Sequence, residues 1–202
     1  MQVHHVKTKG RFSHKVQPNK NQHTVKGITP EQREKLQELG LDGLTSIQQT
    51  KINKNFALFT MSKYNPTKQS FKLPDGNYMK ISPIDFHRVY GLPMGKKEVT
   101  LKKLSLEEAI DYALQVLLEL EPPASNGRVK LLNVEHDVSN AHTIELWIKL
   151  FWLLITGGLF SPFSNPTAEL NMLEYLQPGK IKHFKEYNWC KFFFDYMNEG
   201  LK

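Results

Sequence analysis

Residues 140–165 read NAHTIELWIKLFWLLITGGLFSPFSN, and the rest of the fold is expected to form around them. Only two charges, Glu145 and Lys149, interrupt residues 144–155, so the segment is apolar on almost every side. Such a pattern is typical of a helix that other elements surround. The glycine pair at 157–158 and the prolines beyond it are stop signals. We therefore predict a central helix and a mainly α fold.

The two sides of this helix are expected to differ. Glu145, Lys149 and Thr156 fall on one narrow stripe, with the acid four residues before the base, and we expect the stripe to face water with an exposed ion pair. The opposite side carries large apolar side chains that are expected to be buried: Trp147, Phe151 and Leu154.

A membrane span is not favoured for this segment. About 15 helical residues at about 1.5 Å each reach about 22 Å, whereas a hydrocarbon core is about 30 Å thick. Two charges within the run would also be costly in a bilayer. We expect no membrane partner.

Charge and composition divide the chain into two parts. Its 202 residues, of which 40% are hydrophobic, suffice for one sizeable core. Residues 1–27 contain six bases and no acid, whereas the remainder contains 21 bases and 20 acids. Residues 1–27 also have too few apolar side chains to offset the entropy of ordering. We predict a disordered basic arm over 1–27 and one helical domain over 28–202.

Shorter elements are predicted around the central helix. Capping residues, first-turn prolines and apolar spacing indicate helices at 30–39, 47–61, 83–90, 106–121, 168–176 and from 188 onward. Alternating polar and apolar residues on both sides of the PDGN turn at 74–77 indicate one small β-hairpin. Residues 121–133 are predicted to be a loop. One face of the helix after Ser105 is apolar through Leu106, Ala109, Ile110, Ala113, Leu114 and Leu117.

The hairpin and the motifs that follow it resemble a known family. ISPIDF at 81–86 and VYGLPMG at 89–95 resemble the signature of the plant mobile domain and of its relatives that are fused to SUMO-protease domains in transposable elements. LFSP at 159–162 and YNW at 187–189 are similar to that family's apolar helix and to a later helix start. The resemblance implies a helical domain of transposon origin with no assigned activity, and a chain that is truncated at its C-terminus.

No set of polar residues indicates catalysis or metal binding. Cys190, His183 and Asp195 lack the motif contexts of a cysteine protease, so we interpret Cys190 as a buried thiol. The six-residue interval between His136 and His142 does not match a helical metal-binding pair, and we interpret both as cap or surface residues. Phosphate-loop, dinucleotide-binding and hydrolase motifs do not occur, so no cofactor is expected.

The sequence favours a non-enzymatic domain that binds a protein partner. The alternative is nucleic-acid binding through bases of the arm and bases beside the Gly-Leu-Pro motif. These candidate contacts are Lys7, Lys9, Arg11, Lys15, Lys96, Lys97, Lys102 and Lys103. A single cysteine, an N-terminus without an apolar signal core and the family resemblance together predict a nuclear or otherwise cytoplasmic protein.

The C-terminal segment KFFFDYMNEGLK at 191–202 contains three consecutive phenylalanines. Three such rings on a helix cannot all face one neighbouring element. We predict that Phe192 or Phe193 lies in the core, and that Phe194 and Met197 are exposed. An apolar patch of this kind predicts self-association.

Overall fold

The structure, a computed structural model, describes residues 27–46, 59–116, 127–160 and 167–200. Its α-helices are α1 (Pro30–Leu39), α2 (Pro83–Tyr90), α3 (Leu106–Leu114), α4 (Leu131–Ser139), α5 (Ile144–Gly158) and α6 (Trp189–Gly200). Its strands are β1 (Tyr64–Asn65), β2 (Ser70–Lys72), β3 (Tyr78–Lys80), β4 (Arg128–Lys130) and β5 (Thr167–Glu169). Short 3-10 helices cover Asp42–Ser46, Leu170–Leu176 and Ile181–Glu186. The fold is predominantly helical, as predicted.

Two predictions fall outside these ranges. The basic arm predicted over 1–27 lies there almost entirely, and so does most of the helix predicted over 47–61. The described part of the helix that follows Ser105 ends at Leu114.

Local start and stop signals set the ends of several helices. At the start of α1 the Thr29 hydroxyl accepts from the Gln32 N–H at 3.2 Å, and the side-chain amide oxygen of Gln32 accepts from the Thr29 N–H at 2.9 Å. Ser105 and Glu108 form the same capping box before α3. Gly40 ends α1 in the left-handed conformation, with φ of 69°. These ends were predicted from the sequence because capping involves residues only a few positions apart.

The β-structure is larger than one hairpin. β2 and β3 pair across the predicted turn, and β1 adds a third antiparallel strand beside β2. β4 and β5 form a second, two-stranded antiparallel sheet. The prediction of a single hairpin was therefore wrong, because β1 is too short to show alternation and β4 pairs with a strand far along the chain.

Helix α4 lies where part of a loop was predicted. Leu131, Val134 and Val138 have the spacing of a helical face and are all buried. The residue before this helix, Lys130, makes no side-chain capping bond. The helix was missed because it lacks the start signal that revealed the others.

Helix α5 is buried along most of its length. It begins after Thr143, whose hydroxyl accepts from the Leu146 N–H at 3.2 Å. Every residue of 150–157 is buried. The helix packs against α1, α4, β5 and the 3-10 helix Leu170–Leu176.

The predicted sides of α5 are only partly correct. The side with Trp147, Phe151 and Leu154 is buried, as expected. Thr156 is buried too, and its hydroxyl donates to the Leu153 carbonyl at 3.2 Å. The prediction that Thr156 faces water was wrong because β5 covers this end of the helix.

The closeness of β5 is visible at the next residue of α5. A Cβ on Gly157 would lie 2.7 Å from the Thr167 carbonyl oxygen. At the opposite end of the helix Glu145 is exposed and Lys149 half-buried. No ion pair joins these two side chains within the described ranges.

Aromatic rings join α5 to α6. The Trp152 ring meets Trp189 edge-on at a centroid distance of 4.8 Å and Phe184 at 5.1 Å. Phe160 stacks on Phe193 at 4.3 Å. All five rings are fully buried, so truncating any of them removes apolar contact and leaves a cavity.

Candidate functional site

The candidate cysteine centre is not assembled. Cys190 is buried as predicted, and its Sγ donates to the Leu92 carbonyl at 3.1 Å. Burial raises the pKa of this thiol to about 12. His183 lies 2.6 Å from Glu186, and Asp195 accepts from Lys191 at 2.6 Å. The thiol therefore stays protonated near neutral pH, and the two partners suggested by the sequence are engaged elsewhere.

The two histidines considered as metal ligands lie on separate local structures. The His136 imidazole is exposed and has Nδ1 3.2 Å from the Asp137 carboxylate. His142 is exposed just before α5. Within the ranges the structure describes, no three His, Cys, Asp or Glu side chains are close enough together to hold a metal ion.

Two of the lysines beside the Gly-Leu-Pro motif are paired with acids. Lys97 Nζ lies 2.6 Å from Glu186, and Lys102 Nζ lies 2.5 Å from Glu108. Bonds from Lys97 and from His183 lower the pKa of Glu186 to about 2. Bonds from Lys102 and from the Ser105 N–H lower the pKa of Glu108 to about 2. Both acids are therefore ionised at neutral pH and offset the charge of these lysines.

The backbone of this loop is fixed against the start of α6. The Gly95 N–H donates to the Tyr187 carbonyl at 3.1 Å, and the Lys97 N–H donates to the Glu186 carbonyl at 2.8 Å. A Cβ on Gly95 would lie 2.0 Å from the Glu186 carbonyl carbon and oxygen, so only glycine fits. The remaining bases, Lys96 and Lys103, are exposed. The arm residues Lys7, Lys9, Arg11 and Lys15 lie outside the described ranges.

The C-terminal apolar patch predicted at Phe194 and Met197 is not formed. Phe194 is buried and meets the Phe86 ring of α2 edge-on at a centroid distance of 5.9 Å. Met197 is half-buried against the core. Phe193 is in the core, as predicted. The exposure of Phe194 was wrong because α6 has two neighbours: Phe193 faces the Phe160 side, and Phe194 faces α2.

Helix α3 exposes part of the apolar face that was predicted for it. Leu106, Ile110 and Leu114 are 55%, 38% and 54% exposed, and we call these three residues the α3 face. Ala109 and Ala113, from the same predicted apolar set, are buried. At about 100° per residue the two sets lie side by side on the helix. Helix α3 packs against the 3-10 helix Leu170–Leu176.

A shallow cleft continues the α3 face toward α5. The cleft has a volume of about 290 Å³ and lies between the end of α3 and the start of α5. Leu114 and Leu146 line its apolar part, and Glu145 and Lys149 line its polar part. The α3 face and this cleft form the main candidate for contact with a partner.

Comparison with known proteins identifies the family. A family model described as a domain of unknown function, DUF8566, matches residues 14–202. The chain belongs to this family. The DUF8566 match covers every element of the described fold, including the α3 face and its cleft. Searches of curated proteins and of solved structures give no significant match.

Membership of DUF8566 corrects the resemblance to the plant mobile domain. The family model that matches the chain is DUF8566 and not the plant mobile domain. The resemblance was wrong because its residues are mostly local signals. Pro83 at a helix start, the helix-ending Gly91 and the hairpin turn before them recur in unrelated folds. The transposon origin inferred from that resemblance loses its basis.

The described helices also bear on the membrane prediction. Among the residues that the structure describes, no helix is both long enough and apolar enough to cross a membrane.

Proposed function

We propose that this chain is a non-enzymatic helical domain that binds a protein partner through the α3 face. The observation that supports this most is the exposure of Leu106, Ile110 and Leu114 on successive turns of one helix. Residues four positions apart form a continuous stripe, and three such residues extend it over about 12 Å at about 1.5 Å per residue. Scattered exposed leucines need no explanation, whereas an aligned row beside a cleft favours a binding surface.

The expected partner is an amphipathic helix with basic residues beside its apolar side. Glu107 and Asp111 are exposed and follow the α3 face along one margin. Neither forms an ion pair within the described ranges. Lysine or arginine on a partner helix would therefore meet negative charge, while its apolar residues would cover the α3 face and enter the cleft.

A second copy of the chain fits this surface less well. A two-fold dimer brings the same patch of both copies together. Glu107 and Asp111 of one copy would then approach the same acids of the other, which is unfavourable. We therefore propose a different protein as the partner. The experiment below distinguishes binding of that partner from self-association.

The fold that presents this surface is proposed to be one domain organised around α5. Contacts of α5 with α1, α4 and β5, and its buried residues 150–157, support this arrangement. The non-enzymatic part of the proposal is supported by the protonated, enclosed thiol of Cys190. A nuclear or cytoplasmic location stays part of the proposal, on the basis of the single cysteine, which cannot form a disulfide within the chain.

Proximity labelling followed by binding assays with purified protein tests the α3 face. The test variant replaces Leu106, Ile110 and Leu114 with glutamine. The matched control is Leu132→Gln, which changes another exposed leucine on α4. We expect a partner that binds the parent and the control but binds the triple variant at least about tenfold more weakly.

Three results would contradict the proposal. A partner that binds the triple variant as well as the parent would place the contact elsewhere. Sedimentation that shows a dimer lost only in the triple variant would replace the partner with a second copy. Turnover of any substrate that depends on Cys190 would contradict the non-enzymatic assignment.

A further inference from the structure

The positive charge of residues 28–202 is concentrated in the sequence before the hairpin turn. Residues 43–74 contain five lysines and no acid, whereas residues 28–42 and 75–202 together contain 16 bases and 20 acids. The first acid after this run, Asp75, accepts from the Asn77 N–H at 3.0 Å and from its amide nitrogen at 2.9 Å. Asp75 therefore stabilises the turn and does not pair with a lysine of the sheet.

The sheet register places two of these lysines and a tyrosine in one row. Lys72 is directly opposite Tyr78 on β3. On the other side the β1 register continues to Lys63, whose carbonyl accepts from the Lys72 N–H at 3.0 Å. Directly opposite residues of antiparallel strands point to the same face, with Cβ atoms about 5 Å apart. Lys63, Lys72 and Tyr78 thus cross all three strands as one row, the lysine–tyrosine row.

Exposed rings lie beside Lys63 and beside a third lysine, Lys68, which is next to the row. Lys68 Nζ lies 5.4 Å from the centroid of the Tyr78 ring, and Lys63 Nζ lies 5.3 Å from the centroid of Phe59. Tyr78 is 53% exposed and Phe59 is 57% exposed. Flat rings and positive charge are therefore both accessible on this side of the molecule.

The row also contains an unfavourable pair. Lys63 and Lys72 are like charges directly opposite each other, which destabilises a sheet. Neither forms an ion pair with an acid in the ranges that the structure describes. The ring of Phe59 is the contact that Lys63 makes here, and it carries no negative charge. Local conflicts of this kind are expected at functional surfaces.

We propose that the lysine–tyrosine row binds single-stranded nucleic acid. Lys63, Lys68 and Lys72 neutralise neighbouring phosphates, and the exposed face of Tyr78 stacks on an unpaired base. An acidic peptide would use the lysines but would have no use for the tyrosine ring. The ring therefore favours nucleic acid over other polyanions, and an unpaired base over a duplex.

Anisotropy titrations of the full chain with labelled RNA and DNA single strands of mixed sequence test the lysines. The test variant is Lys63→Gln with Lys72→Gln. Its matched control is Lys96→Gln with Lys103→Gln, which removes the same charge from exposed lysines of the loop. We expect the test variant to bind about tenfold more weakly and to lower the salt slope by about 1.4, since each phosphate contact on a single strand contributes about 0.7. The control should change affinity less than about threefold.

Substitutions at Tyr78 test the stacking. Tyr78→Phe keeps the ring and should keep the affinity, whereas Tyr78→Leu should lose at least about fivefold. Inorganic polyphosphate, which has no bases, should respond to the lysine variant but not to Tyr78→Leu. Equal losses in test and control variants, as expected if residues 1–27 dominate binding, would overturn the proposal. Undetectable binding would do the same, as would equal affinities of Tyr78→Leu and the parent for single strands.

Discussion

Lys97 and Lys102 lie in the loop between α2 and α3, and each has its ammonium group within 2.6 Å of a glutamate. Lys63 and Lys72 lie opposite each other in the three-stranded sheet and have no such acid in the described ranges. The loop is bound to the start of α6 by backbone hydrogen bonds, whereas β3 is exposed along its whole length. The difference shows that the count of lysines does not tell which of them keep their charge unpaired, since the acids that the fold brings beside them decide it.

The largest expected effect is at Trp189, the first residue of α6. Trp189→Ala should lower the free energy of unfolding by about 3–5 kcal/mol, because a fully buried indole is lost and a cavity remains. The substitution also removes the indole N–H, which donates to the Phe184 carbonyl at 3.0 Å. The backbone N–H of residue 189 donates to the Pro93 carbonyl at 3.1 Å, so a shift of the helix start into the cavity should loosen the loop. Chemical denaturation measures the change. The control, Tyr78→Ala in the exposed sheet, should cost less than about 1 kcal/mol, and equal costs would contradict the contrast.

A methyl group at Gly95 should separate the loop from α6. Gly95→Ala should cost about 3 kcal/mol, at the upper end for overpacking, because backbone atoms of Glu186 occupy the space a Cβ needs. The melting temperature should fall by about 6–12 °C. Gly179→Ala is the matched control, since nothing lies within 4 Å of a Cβ there, and it should melt with the parent. A parent-like Gly95→Ala would show that the loop does not lie against α6.

The pairing of Glu186 should make the loop sensitive to acid. Lys97 and His183 lower its pKa from 4.5 to about 2 in the folded chain, so its contribution to stability is complete above pH 4.5 and is lost as pH falls toward 2. Melting temperatures of the parent and of Glu186→Gln should therefore differ near neutral pH and converge toward pH 2. A constant difference across this range would mean that the ion pair is absent.

The smallest effect is expected in the sheet. Replacing Lys63 and Lys72 with glutamine removes a like-charge pair and should raise the free energy of unfolding by about 0.5 kcal/mol at low salt. The variant should melt about 1–2 °C above the parent. The pair Lys96→Gln and Lys103→Gln should leave the melting temperature unchanged. Destabilisation of the sheet variant would indicate that these lysines support the fold instead of a ligand.

Features that depend on neighbours in the chain could be predicted from the sequence. The capping box of Thr29, the turn around Gly76 and the start of α2 at Pro83 each involve only a few consecutive residues. Helix α4 could have been found from the spacing of Leu131, Val134 and Val138, although it has no capping side chain.

Exposure could not be predicted in the same way. Periodicity shows which side chains share a face but not which element covers that face. Thr156 is covered by β5 and Phe194 by α2, whereas Leu106 stays exposed although it belongs to the same apolar set as Ala109. The predictions that Thr156 and Phe194 are exposed both assumed fewer neighbouring elements than the fold provides.

The sequence shows where lysines are concentrated but not which lysines are neutralised. The acid-free run over 43–74 is visible in the sequence, and it points to the sheet once charge is counted by segment. The neutralisation of Lys97 is not visible, because its partner Glu186 is distant in the chain and reaches it only through the bonds of the loop to α6.

The most direct measurement of the contrast between the two lysine groups is an NMR titration of the full chain with a single-stranded oligonucleotide, following the side-chain signals of individual lysines. We expect progressive shifts at Lys63, Lys68 and Lys72 together with the Tyr78 ring, and little change at Lys97 and Lys102. Shifts at Lys97 and Lys102 with a silent sheet would contradict it.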